Sequence, residues 1–138
     1  MINKLNKTFS NNFNVIGTSY ITLNTDEILD RDSNFHLDIF SQYDVPSESN
    51  ILTVLIPIIF EDDMGGLEYI IDNITNKYKY EIGQLVVFDS SKIQHRTMPF
   101  KIKNKKKRVL ISINLSTDED WAYHSTKNIT SSQGNLFI

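Results

Sequence analysis

The strongest constraint on this chain is a succession of short apolar, β-branched runs separated by turn residues, with only weak helical periodicity anywhere. Residues 14–23 are rich in β-branched and aromatic side chains and predict one or two strands. Residues 35–40 alternate, so that His36, Asp38 and Phe40 face one way and Leu37 and Ile39 the other. Residues 51–60 predict the strongest strand, apolar on both faces and therefore covered on both sides. Further strands are expected over 67–71, 85–88, 93–97 and 108–115. The stretch ending in Gly65-Gly66, residues 72–77 and Gly83 read as turns, and 101–107 as a charged hairpin connection. Thr25 or Asp26 is placed to cap a single helical turn within the acidic segment 25–32. About eight short strands at this spacing favour an all-β sandwich or barrel.

The length of 138 residues fits one domain, and no Pro-, Gly- or Ser-rich linker divides it. A net charge of -3 supplies no basic field, so no nucleic-acid partner is expected. With no cysteine, disulfides, thiolate zinc sites and thiol nucleophiles are excluded, and any metal must be held by histidine and carboxylate. No run approaches the roughly 20 apolar residues of a membrane span. Residues 1–12 are polar and lack the apolar centre of a signal peptide, so the expectation is a cytoplasmic protein with no membrane partner.

His36 and Asp38 carry the chemistry. At positions i and i+2 of an extended segment, both side chains project from the same face, close enough to chelate one ion. His95 follows on another β run. Two imidazoles and one carboxylate form the facial arrangement that holds a non-haem metal and leaves coordination positions open. A lone His-x-Asp is weak evidence, and its force comes from the surrounding strands and from Arg108 opening the last of them.

The ordered motifs resemble the jelly-roll 2-oxoglutarate oxygenases, in particular their prolyl-hydroxylase-like and phytanoyl-type members. They run as His36-Leu37-Asp38, then Leu52-Thr53-Val54-Leu55-Ile56-Pro57, then Gly65-Gly66-Leu67-Glu68-Tyr69. Gly83-Gln84-Leu85-Val86-Val87-Phe88-Asp89-Ser90 follows, then His95, then Arg108-Val109-Leu110-Ile111-Ser112. The resemblance spans residues 35–115, and the succession is more specific than any one motif. It implies a mainly β double-stranded β-helix with little helix. Residues 1–34 would support the barrel, 35–115 would form the oxygenase core and 116–138 a polar tail anchored by Trp121, Tyr123 and Phe137. His36, Asp38 and His95 would bind Fe(II). 2-Oxoglutarate and dioxygen would be cosubstrates, with the distal carboxylate of 2-oxoglutarate on Arg108 and Ser112 and Thr53 lining its pocket. The guanidinium fork suits that carboxylate and stays charged when desolvated.

Related halogenases carry a small residue where Asp38 stands, so hydroxylation, or an oxidation such as demethylation, is the implied reaction. Many prolyl hydroxylases have a tyrosine where Pro57 falls, which leaves the distal carboxylate to Arg108 with Ser112, Thr53 or Tyr69. The short segment before His36 is compatible with a minimal barrel or a homo-oligomer. The substrate would be a peptidyl side chain, such as proline, or a small metabolite. The competing reading is an inactive jelly-roll or cupin-like binding module. Intact ligands and Arg108 argue against it, as does the absence of a cupin His-x-His. Lys101, Lys103, Lys105, Lys106 and Lys107 read as a solvated hairpin tip, and His124 as structural or exposed. Arg96, beside His95, is expected to point outward.

Overall fold

In the computed structural model, the described residues are 1–24, 30–31, 34–38, 50–61, 64–101, 107–117 and 120. The chain is mainly β and its sheets are antiparallel. Helix α1 (Ile2–Phe9) precedes β1 (Asn14–Asn24), β2 (Asp30–Arg31), β3 (Ile51–Ile59), β4 (Leu67–Ile71), β5 (Ile74–Tyr78), β6 (Val86–Phe88), β7 (His95–Thr97), β8 (Phe100–Lys101) and β9 (Lys107–Ser116). A four-stranded sheet has the order β1-β9-β3-β6, a three-stranded sheet the order β5-β4-β7, and β2 pairs with β8.

The apolar run of β3 occupies the interior of the larger sheet, with β9 along one edge and β6 along the other. Its alternate residues feed two cores. Leu52 and Val54 join Leu115 and Phe13, with Leu5 of α1 packed against them. Leu55 faces the opposite way and joins Phe88, Leu110, Tyr80 and Leu67 of β4, which ties the two sheets together. Burying a side chain of this size contributes about 1.5–3 kcal/mol. Pro57 lies beyond the segment paired with β6 and beside a register shift, where its missing N–H costs the ladder little.

Helix α1 is not anticipated by the weak helical periodicity of the sequence. Met1 offers no side-chain cap, and the apolar positions Ile2, Leu5 and Phe9 give only a narrow stripe. Tertiary contacts supply the rest. Leu5 packs on the larger sheet, and Asn6 Oδ1 accepts the Phe13 N–H at 2.9 Å. The expected turn over 72–77 is also corrected. Only Asp72 and Asn73 turn, both at positive φ (52° and 60°), as a two-residue hairpin requires, and β5 follows at once. Its exposed Ile74, Thr75 and Lys77 and the polar Asn76 break the alternation that would mark a strand. Gly65, at φ 67°, sits where a Cβ would meet the Met98 carbonyl and the Phe100 ring, so the Gly65-Gly66 pair admits the chain into β4.

The helical turn expected over 25–32 lies largely outside the described residues, and Asp30–Arg31, which are described, form a strand. Most of the proposed tail and most of the 101–107 connection also lie outside them. Among the described residues, no helix is long and apolar enough to cross a membrane.

Candidate metal centre

His36 belongs to no regular strand, and over the described part, 35–38, the strand expected for 35–40 is not formed; 39 and 40 lie outside the described residues. Its backbone makes one isolated antiparallel bridge with His95, with both N–H groups donating to the opposite carbonyls at 3.0 Å. The chain then bends, and the Asp38 N–H donates to the Ser90 carbonyl at 3.0 Å. The side chains of His36 and Asp38 nevertheless converge. The turn that presents Ser90 is organised by Asp89, whose carboxylate accepts the Ser91 N–H at 3.0 Å and pairs with Lys92 at 3.0 Å.

Behind the ligand segment, the Arg96 guanidinium stacks on the Phe35 ring at 4.4 Å, and its Nε donates to Glu68 at 2.7 Å. Glu68 is buried and also faces Lys77 at 3.5 Å. Arg96, expected to point outward, is instead half-buried between the Phe35 ring and Glu68, where it holds the residue that precedes His36.

The three candidate ligands come together. Potential ligand atoms of His36, Asp38 and His95 lie within 4.8 Å of one another. His36 Nε2 is 3.6 Å and His95 Nε2 3.4 Å from the same oxygen, Asp38 Oδ1. Each ring is oriented by the same local device: Nδ1 of His36 bonds the Asn34 carbonyl at 2.8 Å, and Nδ1 of His95 the Ile93 carbonyl at 3.0 Å. A carbonyl can only accept, so Nδ1 of each ring carries a proton, and once a metal displaces the proton on Nε2 it is the Nε2 lone pair that turns inward. The His95 spacing falls within the ~3.0–3.4 Å expected of ligands that share an ion at ~2.0–2.1 Å, and the His36 spacing is slightly wider. Two imidazoles and a carboxylate at these separations suit a divalent transition metal.

Exposure grades across the site. The His95 side chain is 8% exposed and packs against the Phe88 ring at 4.7 Å; Asp38 is 27% and His36 51% exposed. The open side is thus the His36 side. Burial alone would push the Asp38 carboxyl up, but hydrogen bonds from His36 and His95, with their charge, hold it well below the usual carboxylate range. The hydrogen bond to Asp38 raises the His36 imidazole above its ordinary value, against the opposing effect of burial.

Thr53, buried on β3, places its hydroxyl 3.3 Å from Asp38 Oδ2, so it meets the ligand rather than only lining a pocket. Arg108 and Ser112 are both buried on β9, on the face that carries Leu110 into the core between the sheets. Arg108 Nη1 donates to the Met64 carbonyl at 3.3 Å, and its guanidinium lies 5.7 Å from the Phe100 ring centre. Tyr69 stands opposite His95 in the β4–β7 register and packs on the same core.

Two further residues were not singled out in the sequence. Tyr80 is buried beside Phe60, Leu110 and Phe88, and its phenol is pushed up to about 12 by burial; the charge of Arg108 opposes this and that of Asp38 adds to it. Both charges therefore act on one hydroxyl. Asn114 lies directly across from Thr53, and its Oδ1 is 3.1 Å from the threonine hydroxyl. Its signal was a polar residue two places beyond Ser112, on the face of β9 that also carries Arg108.

No protein-family model matches the chain, and no curated protein is significantly similar to it.

Proposed function

We propose that this protein is an Fe(II)- and 2-oxoglutarate-dependent oxygenase of jelly-roll type that hydroxylates a peptidyl side chain or a small metabolite. The observation that supports this reading most is the convergence of two backbone-oriented Nε2 atoms on one carboxylate oxygen. Two neutral imidazoles and one carboxylate suit a borderline divalent metal and leave one face of it free. The order of motifs along residues 35–115 selects iron with 2-oxoglutarate from among the possible metals and cosubstrates.

When bound, the iron and its cosubstrates supply the oxidising chemistry, in which 2-oxoglutarate loses carbon dioxide and becomes succinate. The chain's own residues have simpler tasks. His36, Asp38 and His95 hold the metal. Arg108, buried and permanently charged, binds the distal carboxylate of 2-oxoglutarate and sets which end of it enters first. Ser112 lines the same face. Tyr80, buried on the same core, is a neutral hydroxyl beside Leu110. Phe88 packs against His95 and would shield that side of a bound metal from water, and the exposed His36 edge would leave a route for substrate.

The test is succinate formation from 2-oxoglutarate with Fe(II) and oxygen present, screened against peptides and metabolites. Turnover that disappears in His36→Ala and Asp38→Ala is the expected result. Failure of any substrate to stimulate turnover, together with no basal succinate, would leave the fold as a binding module.

A further inference from the structure

The hydroxyl of Thr53 has one proton and two neighbours that, as their atoms are placed, both only accept: Asp38 Oδ2 at 3.3 Å and Asn114 Oδ1 at 3.1 Å. One of the two contacts then lacks a proton. Thr53 is almost completely buried, so water offers little relief. Rotating the Asn114 amide by half a turn resolves the conflict, because the oxygen and nitrogen of an amide are nearly the same shape. The amide nitrogen then donates to Thr53 Oγ1, and the threonine proton is committed to Asp38. Across β1 the residue opposite Asn114 is Gly17, which places no side chain against the amide.

We propose that Asn114 is a positioning residue for the metal centre. Through Thr53 it directs a hydrogen bond onto Asp38 Oδ2 and so fixes the carboxylate with Oδ1 toward His36 and His95. Thr53 and Asn114 are register partners on the two central strands of the larger sheet, so the relay anchors a ligand from a bent segment to the middle of that sheet. Without it the Asp38 carboxylate could rotate about its own axis and present either oxygen. The alternative role, a polar cross-strand pair that only supports the sheet, predicts a change in stability with no effect on metal binding. The inference rests on the metal-centre reading and deepens it, whichever cosubstrate is used.

The experiment is a calorimetric titration of the metal-free full chain with Co(II), for the parent protein and for Asn114→Leu, Thr53→Val, Thr53→Ser and the Leu/Val double variant. Thermal unfolding of each chain without metal is followed in parallel. Loss of a group that orients a metal ligand weakens affinity by roughly 10- to 100-fold. That loss is expected in Asn114→Leu and in Thr53→Val, with affinity near the parent in Thr53→Ser, which keeps the hydroxyl. The double variant should be no weaker than Thr53→Val, because both changes break one path. Asn114→Ser, too short to reach the hydroxyl in the same way, stands in if Asn114→Leu does not fold, with the same loss expected. Parent-like Co(II) affinity in a folded Asn114 variant overturns the proposal and leaves the metal centre intact. Losses that add in the double variant overturn it too. A parent protein that binds no Co(II) removes the metal centre itself.

Discussion

His36 and His95 are backbone partners across a single antiparallel bridge, and each ring is locked by a hydrogen bond from Nδ1 to the carbonyl two residues before it. The same device on two distant segments turns both Nε2 atoms to one oxygen of Asp38. Their surroundings differ, since His95 is packed against Phe88 and His36 lies at the surface.

That difference separates binding from stability. In the metal-free protein, His95→Ala should cost about 1–3 kcal/mol, because it leaves a gap beside Phe88, whereas His36→Ala should cost less than about 1 kcal/mol. Both should abolish metal binding. Urea unfolding in the presence of a chelator measures the first effect and titration with Co(II) the second. Equal destabilisation by the two substitutions would contradict the packing described for His95.

The pKa directions set the pH dependence. His36 is raised in the fold, so its contribution to stability is complete below its unfolded value of 6.5 and is lost as pH rises through the folded value. Asp38 is lowered, so its contribution is present above 3.8 and is lost as pH falls through its folded value. A metal competes with the proton on His36. Metal affinity should therefore climb as pH rises from 6.5 through the raised folded value of His36 and level off once His36 is neutral, with roughly one proton released per ion below that point. Titrations in buffers of different ionisation enthalpy measure that proton, and an affinity that does not change with pH would show that His36 is not a ligand.

Arg108→Lys keeps the charge but loses the planar fork. The 2-oxoglutarate concentration for half-maximal succinate formation should rise by roughly 10- to 100-fold, the worth of a charge-assisted hydrogen bond, while Co(II) affinity stays unchanged. An unaltered 2-oxoglutarate requirement would remove Arg108 from the cosubstrate site.

Arg96 acts behind the metal centre. Arg96→Met leaves buried Glu68 with the more distant Lys77 and removes the cation from the Phe35 ring. A loss of about 2 kcal/mol in stability is expected, together with a several-fold loss in Co(II) affinity, because Phe35 precedes a ligand. If stability falls and affinity does not, the stack supports the sheet alone.

The parts of this fold that are legible in the sequence are those whose side chains all obey one pattern. β3 and β9 announce themselves because nearly every residue is apolar or alternates, and the three candidate ligands because two histidines and an aspartate stand out in a chain without cysteine. Helix α1 is hidden because it lacks a capping side chain and takes its support from Leu5 and from Asn6 bonding Phe13. β5 is hidden because its exposed residues read as loop. The expected strand at His36 fails because Asp38 answers to the Ser90 carbonyl and not to a neighbouring strand. Asn114 and Tyr80 belong to no motif, and their meaning appears only when β9 meets β3 and when the two sheets close on one core.

The most direct test of the central claim is optical. Anaerobic protein mixed with Fe(II) and 2-oxoglutarate should develop a weak visible charge-transfer band that neither component gives alone, and Asp38→Ala should lack it. A folded parent protein that binds Fe(II) but shows no band on addition of 2-oxoglutarate would contradict the oxygenase reading.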